Sequence, residues 1–130
     1  MMPLLLALTL LAAPPAPGTS DWGGVITAGR LYDACVNYVA HLGRPFLAED
    51  ERACQIGTMA QRAMFGAEDR TDAARRGICL PEAVIRDEGR TGSPMAEAFL
   101  AYVDHNPASR ALDVNDVFPL ALAEKWPCPH

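Results

Sequence analysis

The stretch TAGRLYDACVNYVAHL, Thr27–Leu42, decides the fold class. Leu31, Cys35, Tyr38 and Leu42 recur at steps of three and four residues, with Ala34 and Val39 beside them. That is the period of an amphipathic helix. Thr27 stands where an N-cap belongs, Gly43 where a left-handed C′ residue belongs, and Pro45 blocks any continuation. A half-buried strand would alternate every second residue, and no strong alternation occurs anywhere in the chain.

Working outward, the next helix is predicted from Ala48 to Phe65. Glu49, Asp50 and Glu51 suit the positive end of its dipole, Gly66 ends it, and Ile56, Met59, Ala60, Ala63 and Met64 form its expected buried stripe. Gly57 inside this helix costs about 1 kcal/mol relative to Ala, which a close helix crossing would explain. Asp69–Gly77 is polar and Arg-rich, a short helix or a loop, and Cys79-Leu80-Pro81 turns the chain into a new unit. Glu82–Gly92 has room for one helical turn, but Gly89 and Gly92 favour an exposed loop. Ser93-Pro94 starts a third main helix, with Ser as N-cap and Pro at the first helical position. Met95, Ala98, Phe99, Tyr102 and Val103 share one face of it, and Asn106-Pro107 stops it. The last helix covers Asn115–Lys125. With Asn115 as N-cap, Pro119 falls in the first turn, where the backbone N–H has no intrahelical partner. Val117, Leu120, Ala121 and Trp126 supply its expected buried face. The class is all-α: one small domain of four main helices, with room for an additional short one.

Composition narrows the function classes. The chain has 130 residues, 50% hydrophobic and 21% charged, with net charge −5; ten of its eleven basic residues are Arg. This is a globular composition with room for one domain and one modest core. An acidic chain without a basic patch does not suit nucleic acid. Residues 1–20 carry no charge, and Leu4–Ala13 is an apolar run of about ten, half of what a membrane span needs. Such a run, broken by Pro14, Pro15 and Pro17 and followed by small residues, matches a secretory signal peptide cleaved after Gly18 or Ser20. The expected domain is then 21–130, exported to the periplasm, with no membrane span.

Cys35, Cys54, Cys79 and Cys128 all lie in that domain. An even count behind a leader reads as a disulfide framework. No CxxC and no close Cys/His pair is present, so neither a zinc site nor a thioredoxin-type pair is expected. Four cysteines allow three connectivities, and the helix map favours one. Cys35 and Cys54 lie at similar distances, roughly 10 Å, from the loop joining two antiparallel helices. The return of the last helix against the third brings Cys128 back toward Cys79. On the chain-entropy model each such cystine contributes about 3–4 kcal/mol.

Ile78-Cys79-Leu80-Pro81, Phe99-Leu100-Ala101-Tyr102-Val103, His105-Asn106-Pro107, Leu120-Ala121-Leu122 and Trp126-Pro127-Cys128, together with Cys35 and Cys54-x-x-Gly57, form an ordered set. This set resembles the Rap/Tai family of exported immunity proteins against peptidoglycan amidases delivered by type VI secretion. The resemblance implies a non-catalytic inhibitor, a secreted amidase as partner, and a homodimer.

No catalytic residue is expected. Neither GxSxG, HExxH nor a Gly-rich phosphate loop occurs. Ser93 and Ser109 read as helix-start residues, and His105 as a partner of a helix C-terminus. Tyr32, Tyr38, Phe99 and Tyr102 fit core stripes. No cofactor and no metal is expected. An amidase inhibitor needs only a rigid shape, and the candidate partner-binding residues are Arg86, Asp87, Glu88 and Arg90, in a loop tethered by Cys79 at one end and Ser93-Pro94 at the other. The alternative is a periplasmic holdase resembling the Hde acid-stress chaperones, with acid-exposed apolar surface and no single partner.

Overall fold

The structure, a computed structural model, describes residues 26–42, 48–86 and 93–129. The leader therefore lies outside the described residues, as do Gly43, Pro45 and the segment 87–92. Among the described residues six α-helices occur in the order α1 (Ala28–Ala40), α2 (Glu49–Phe65), α3 (Thr71–Arg75), α4 (Glu82–Arg86), α5 (Pro94–His105) and α6 (Val114–Lys125), with a 3-10 helix at Pro107–Ala111. Four of them are long, α3 and α4 are single short turns, and no strand forms among the described residues.

Helix α1 is the axis of the fold, packing on α2, α5, α6 and the 3-10 helix. Thr27 caps it, its hydroxyl accepting the Arg30 N–H at 3.3 Å. Ala28, Leu31, Ala34, Cys35 and Tyr38 are buried, with Val39 and Leu42 packed at the margin. The α1–α2 pairing is antiparallel. His41 meets Glu51, Cys35 is bonded to Cys54, and a Cβ added at Gly57 would lie 3.2 Å from Leu31 Cδ1, so residue number rises along α2 as it falls along α1. Gly57 thus stands at the close crossing that justifies its helical cost.

On the other side of α1, α5 and α6 build the rest of the core. Phe99 and Phe118 stack with centroids 4.7 Å apart, and both are fully buried together with Val103, Val117 and Leu122. Backbone bonds from Ala28 N–H to the Leu112 carbonyl and from Val114 N–H to the Ile26 carbonyl, each 2.8 Å, tie the start of α1 to the start of α6.

Both cystines pair as the helix map favours, Cys35–Cys54 and Cys79–Cys128, each with Cα atoms 4.9 Å apart. The second closes the chain end onto Gly77–Cys79, where the Cys79 N–H donates to the Trp126 carbonyl and the Cys128 N–H to the Gly77 carbonyl.

Several expectations are corrected. The cap of α6 is Asp113, whose carboxylate accepts the Asn115 N–H at 2.9 Å, rather than Asn115. Pro119 is therefore inside the helix and buried, and it leaves the carbonyl of exposed Asn115 without an intrahelical donor. Leu120 faces outward, half-exposed, and Phe118 takes the buried place. Ser93 occupies the N-cap position of α5 but makes no side-chain cap bond. The largest correction concerns α2: Ile56, Met59 and Met64 are 50%, 51% and 51% exposed, and Ala60 and Ala63 are exposed as well.

Candidate functional site

The buried side of α2 is Glu51, Cys54, Gln61 and Phe65. Three forces turn that polar-looking side inward. Cys54 is bonded to Cys35, which is itself fully buried on α1. Glu51, 3% exposed, accepts the His41 Nδ1–H at 2.7 Å and reaches back to the Ala48 N–H at 3.3 Å, so its carboxylate is paired at both ends. Buried charge is tolerated only with such partners. Phe65 anchors the far end. Ile56 and Phe65 are nine residues apart, about two and a half turns, and so lie on opposite faces. The outer face runs through Ile56, Met59, Ala60, Ala63 and Met64 without a charge. The signal that locates this face is the position of Cys54. Once its sulfur points at α1, Thr58, Gln61 and Phe65 must follow it inward and Ile56 and Ala63 must point away.

The loop candidate resolves differently. Glu82–Arg86 is helical, and Arg86 is exposed at its end, 3.6 Å from Glu82 across one turn. Asp87, Glu88 and Arg90 lie outside the described residues. The structure does describe the platform from which that segment departs. Leu80, just before α4, and Val84 within it are buried, Cys79 is held by its cystine, and Arg70 donates to Glu82 at 2.7 Å. The Arg70 guanidinium holds the Glu82 carboxyl below the usual carboxylate range. At the other end Ser93 is buried and opens α5.

A third polar group sits where α1, α5 and the 3-10 helix meet. Tyr32 donates to Asp104 at 2.5 Å, which raises the phenol above its ordinary value. Arg110 donates to Asp33 at 2.9 Å and to the Gly29 carbonyl at 3.4 Å, and its guanidinium lies 4.8 Å from the Tyr32 ring centre. Every member is paired within the group, so its work is to clamp three elements. His105 donates from Nδ1 to the Ala101 carbonyl at 2.8 Å, at the C-terminal end of α5. Among the described residues no group of three or more His, Cys, Asp or Glu side chains converges as a metal site would require.

Comparison with protein-family models, with curated proteins and with solved structures returns no match. Two cystines are compatible with an oxidising, extracytoplasmic compartment. No described helix is long and apolar enough to cross a membrane.

Proposed function

We propose that this is an exported, periplasmic immunity-type protein that inhibits a secreted peptidoglycan amidase by occupying its cleft, without chemistry of its own. The observation that carries the proposal is the anchored platform around α4. A cystine, two buried aliphatic side chains and the Arg70–Glu82 pair fix one end of the 87–92 segment, and the buried start of α5 fixes the other. Anchored flanks lower the ordering cost of docking, which suits a stoichiometric inhibitor. The charges of Arg86, Asp87, Glu88 and Arg90 then steer encounter. The resemblance in the cysteine and proline pattern supplies the partner class and a homodimeric state.

The test is inhibition and calorimetry with any amidase encoded beside this chain. Charge reversal at Arg86 and Arg90 should slow association and flatten its salt dependence while helicity stays unchanged. Failure to bind any neighbouring amidase removes the immunity function. One observation favours a second reading, the Hde-type holdase: the uncovered apolar face of α2 is surface that a client chain could use. Suppression of client aggregation that switches on only in acid, without an amidase partner, would establish it.

A further inference from the structure

The two cystines sit in opposite surroundings. Cys35 and Cys54 are both 0% exposed, each within a long helix, and a reductant reaches their sulfurs only when α1 and α2 separate. Cys79 is exposed and Cys128 is half-buried; both lie outside the helices, and Cys128 stands beyond the last turn of α6. Thiol–disulfide exchange needs access, so exposed cystines are the labile ones and sealed ones resist reduction. We propose that Cys79–Cys128 is a reversible redox-modification site whose reaction partner is a dithiol, such as the paired cysteines of a thioredoxin-type reductase, and that its cleavage loosens the α4 platform while the helical core stays folded.

The exchange balances between the two partners. One thiolate of the dithiol forms a mixed disulfide with one sulfur of the cystine, the Cys79–Cys128 bond breaks, and the other cysteine leaves as a thiolate and takes a proton. The second thiol of the reductant then attacks the reductant's own sulfur in the mixed disulfide, closing the reductant's disulfide and releasing the remaining cysteine as a thiol. Two electrons pass to the protein cystine, and the dithiol is oxidised to a disulfide.

The neighbouring contacts set what the cut releases. Apart from the cystine, the Cys79 N–H donates to the Trp126 carbonyl at 2.9 Å and the Cys128 N–H to the Gly77 carbonyl at 3.2 Å. Beyond Cys79, α4 buries Val84 alone, with Ile85 at the margin, and its tie to α3 is the Arg70–Glu82 pair between solvent-reachable groups. A region with so few buried contacts opens locally once the covalent tie is gone. The core has its own supports: the Phe99–Phe118 stack, buried Val117 and Leu122, and the sealed bond between α1 and α2. Buried Ile78 and partly buried Trp126 keep the two thiols near each other, so re-oxidation closes the same bond as an intramolecular step. The use of the site rests on the proposed function: reduction lowers the preorganisation of the docking flank, and re-oxidation restores it.

The test is timed reduction of the folded, oxidised protein with dithiothreitol and with thioredoxin, trapping by N-ethylmaleimide, and peptide mapping of each cysteine. Cys79 and Cys128 should be labelled at least about tenfold faster than Cys35 and Cys54. Helical circular dichroism should be retained, and amide hydrogen exchange should rise by about tenfold at residues 77–86 and 126–129 while α1 and α5 stay protected. The Cys79→Ser/Cys128→Ser double variant should show that exchange pattern without reductant and keep the Cys35–Cys54 bond. Equal labelling of all four cysteines, or earlier labelling of Cys35 and Cys54, overturns the site. Exchange that rises throughout α1 and α5 makes the cystine a staple of the whole fold and overturns the local loosening, as does unchanged exchange at residues 77–86. None of these readouts needs an amidase, so a chain that binds none loses the proposed function and keeps this site.

Discussion

Replacing Gln61 with Met should stabilise the protein, although Gln61 is a hydrogen-bonded residue in the middle of a helix interface. Gln61 is 3% exposed on the inward side of α2. Its Nε2 donates to Asn115 Oδ1 at 3.4 Å, near the outer limit of a useful bond, and its Oε1 has no hydrogen-bond partner among the described residues. An unpaired buried acceptor costs about 1–3 kcal/mol, and a long neutral bond returns about 0.5 kcal/mol. Met has the same chain length, adapts to an irregular space and carries no acceptor that must be desolvated. Asn115 is exposed, so water takes the vacated place at its amide. The net expectation is a gain of about 1 kcal/mol, or about 4 °C in midpoint for a domain of this size. Urea unfolding under oxidising conditions is the assay, and the midpoint should rise with an unchanged slope. Gln61→Glu serves as the opposite control, since it buries a carboxylate without a counter-charge and should cost more than about 2 kcal/mol. A loss of stability in Gln61→Met would refute the reasoning, because it would mean that Oε1 is satisfied in the folded protein.

The Cys35–Cys54 bond predicts strong non-additivity: each single Cys→Ser variant and the double should lose a similar amount, about 3 kcal/mol, where independent residues would lose the sum. Tyr32 predicts an alkaline effect. Its phenol is held above its ordinary value of 10.0 by donating to Asp104, so the stability it contributes is complete below pH 10 and disappears as the pH climbs through the raised value. Tyr32→Phe should flatten the decline of the urea midpoint between pH 9 and 11, and an unchanged slope would remove the bond from the ledger. Gly77 has φ +74°, with nothing within 4 Å of an added Cβ. Gly77→Ala should cost about 1 kcal/mol in thermal unfolding through backbone conformation alone, and Gly77→Asn less, because Asn tolerates the left-handed region better.

Much of the fold is legible in the residues because local rules and long-range constraints agree there. Along α1 the apolar period, the Thr27 cap and Cys35 all name the same buried side, and the structure buries it. Along α5, Met95, Ala98, Phe99 and Val103 do likewise. The boundaries that shift are those where two residues compete for one task. Asp113 and Asn115 can both cap α6, and the backbone bond from Val114 to Ile26 starts the helix early, carrying Pro119 into its interior. Of the four partner-binding candidates only Arg86 lies among the described residues, and no local pattern distinguishes a docking charge from a solvated one.

Helix α2 shows where periodicity stops being informative. A hydrophobic stripe says that a helix has an apolar side, but which body covers that side depends on the partners available. Within one chain the covalent bond at Cys54 outranks the stripe, since a cystine fixes the rotation of the helix about its own axis. Glu51 then enters the interior with His41 as its partner, Gln61 follows with one amide atom unpaired, and every residue half a turn away is carried outward. Leaving Ile56, Met59 and Met64 half in water forgoes about 1 kcal/mol of burial for each. An exposed helix under no other constraint would carry polar residues at these positions, with no loss of helix propensity from Gln, Glu or Lys. The same sequence therefore holds two commitments that one copy of the chain cannot satisfy together, an inward cystine and an apolar outer face.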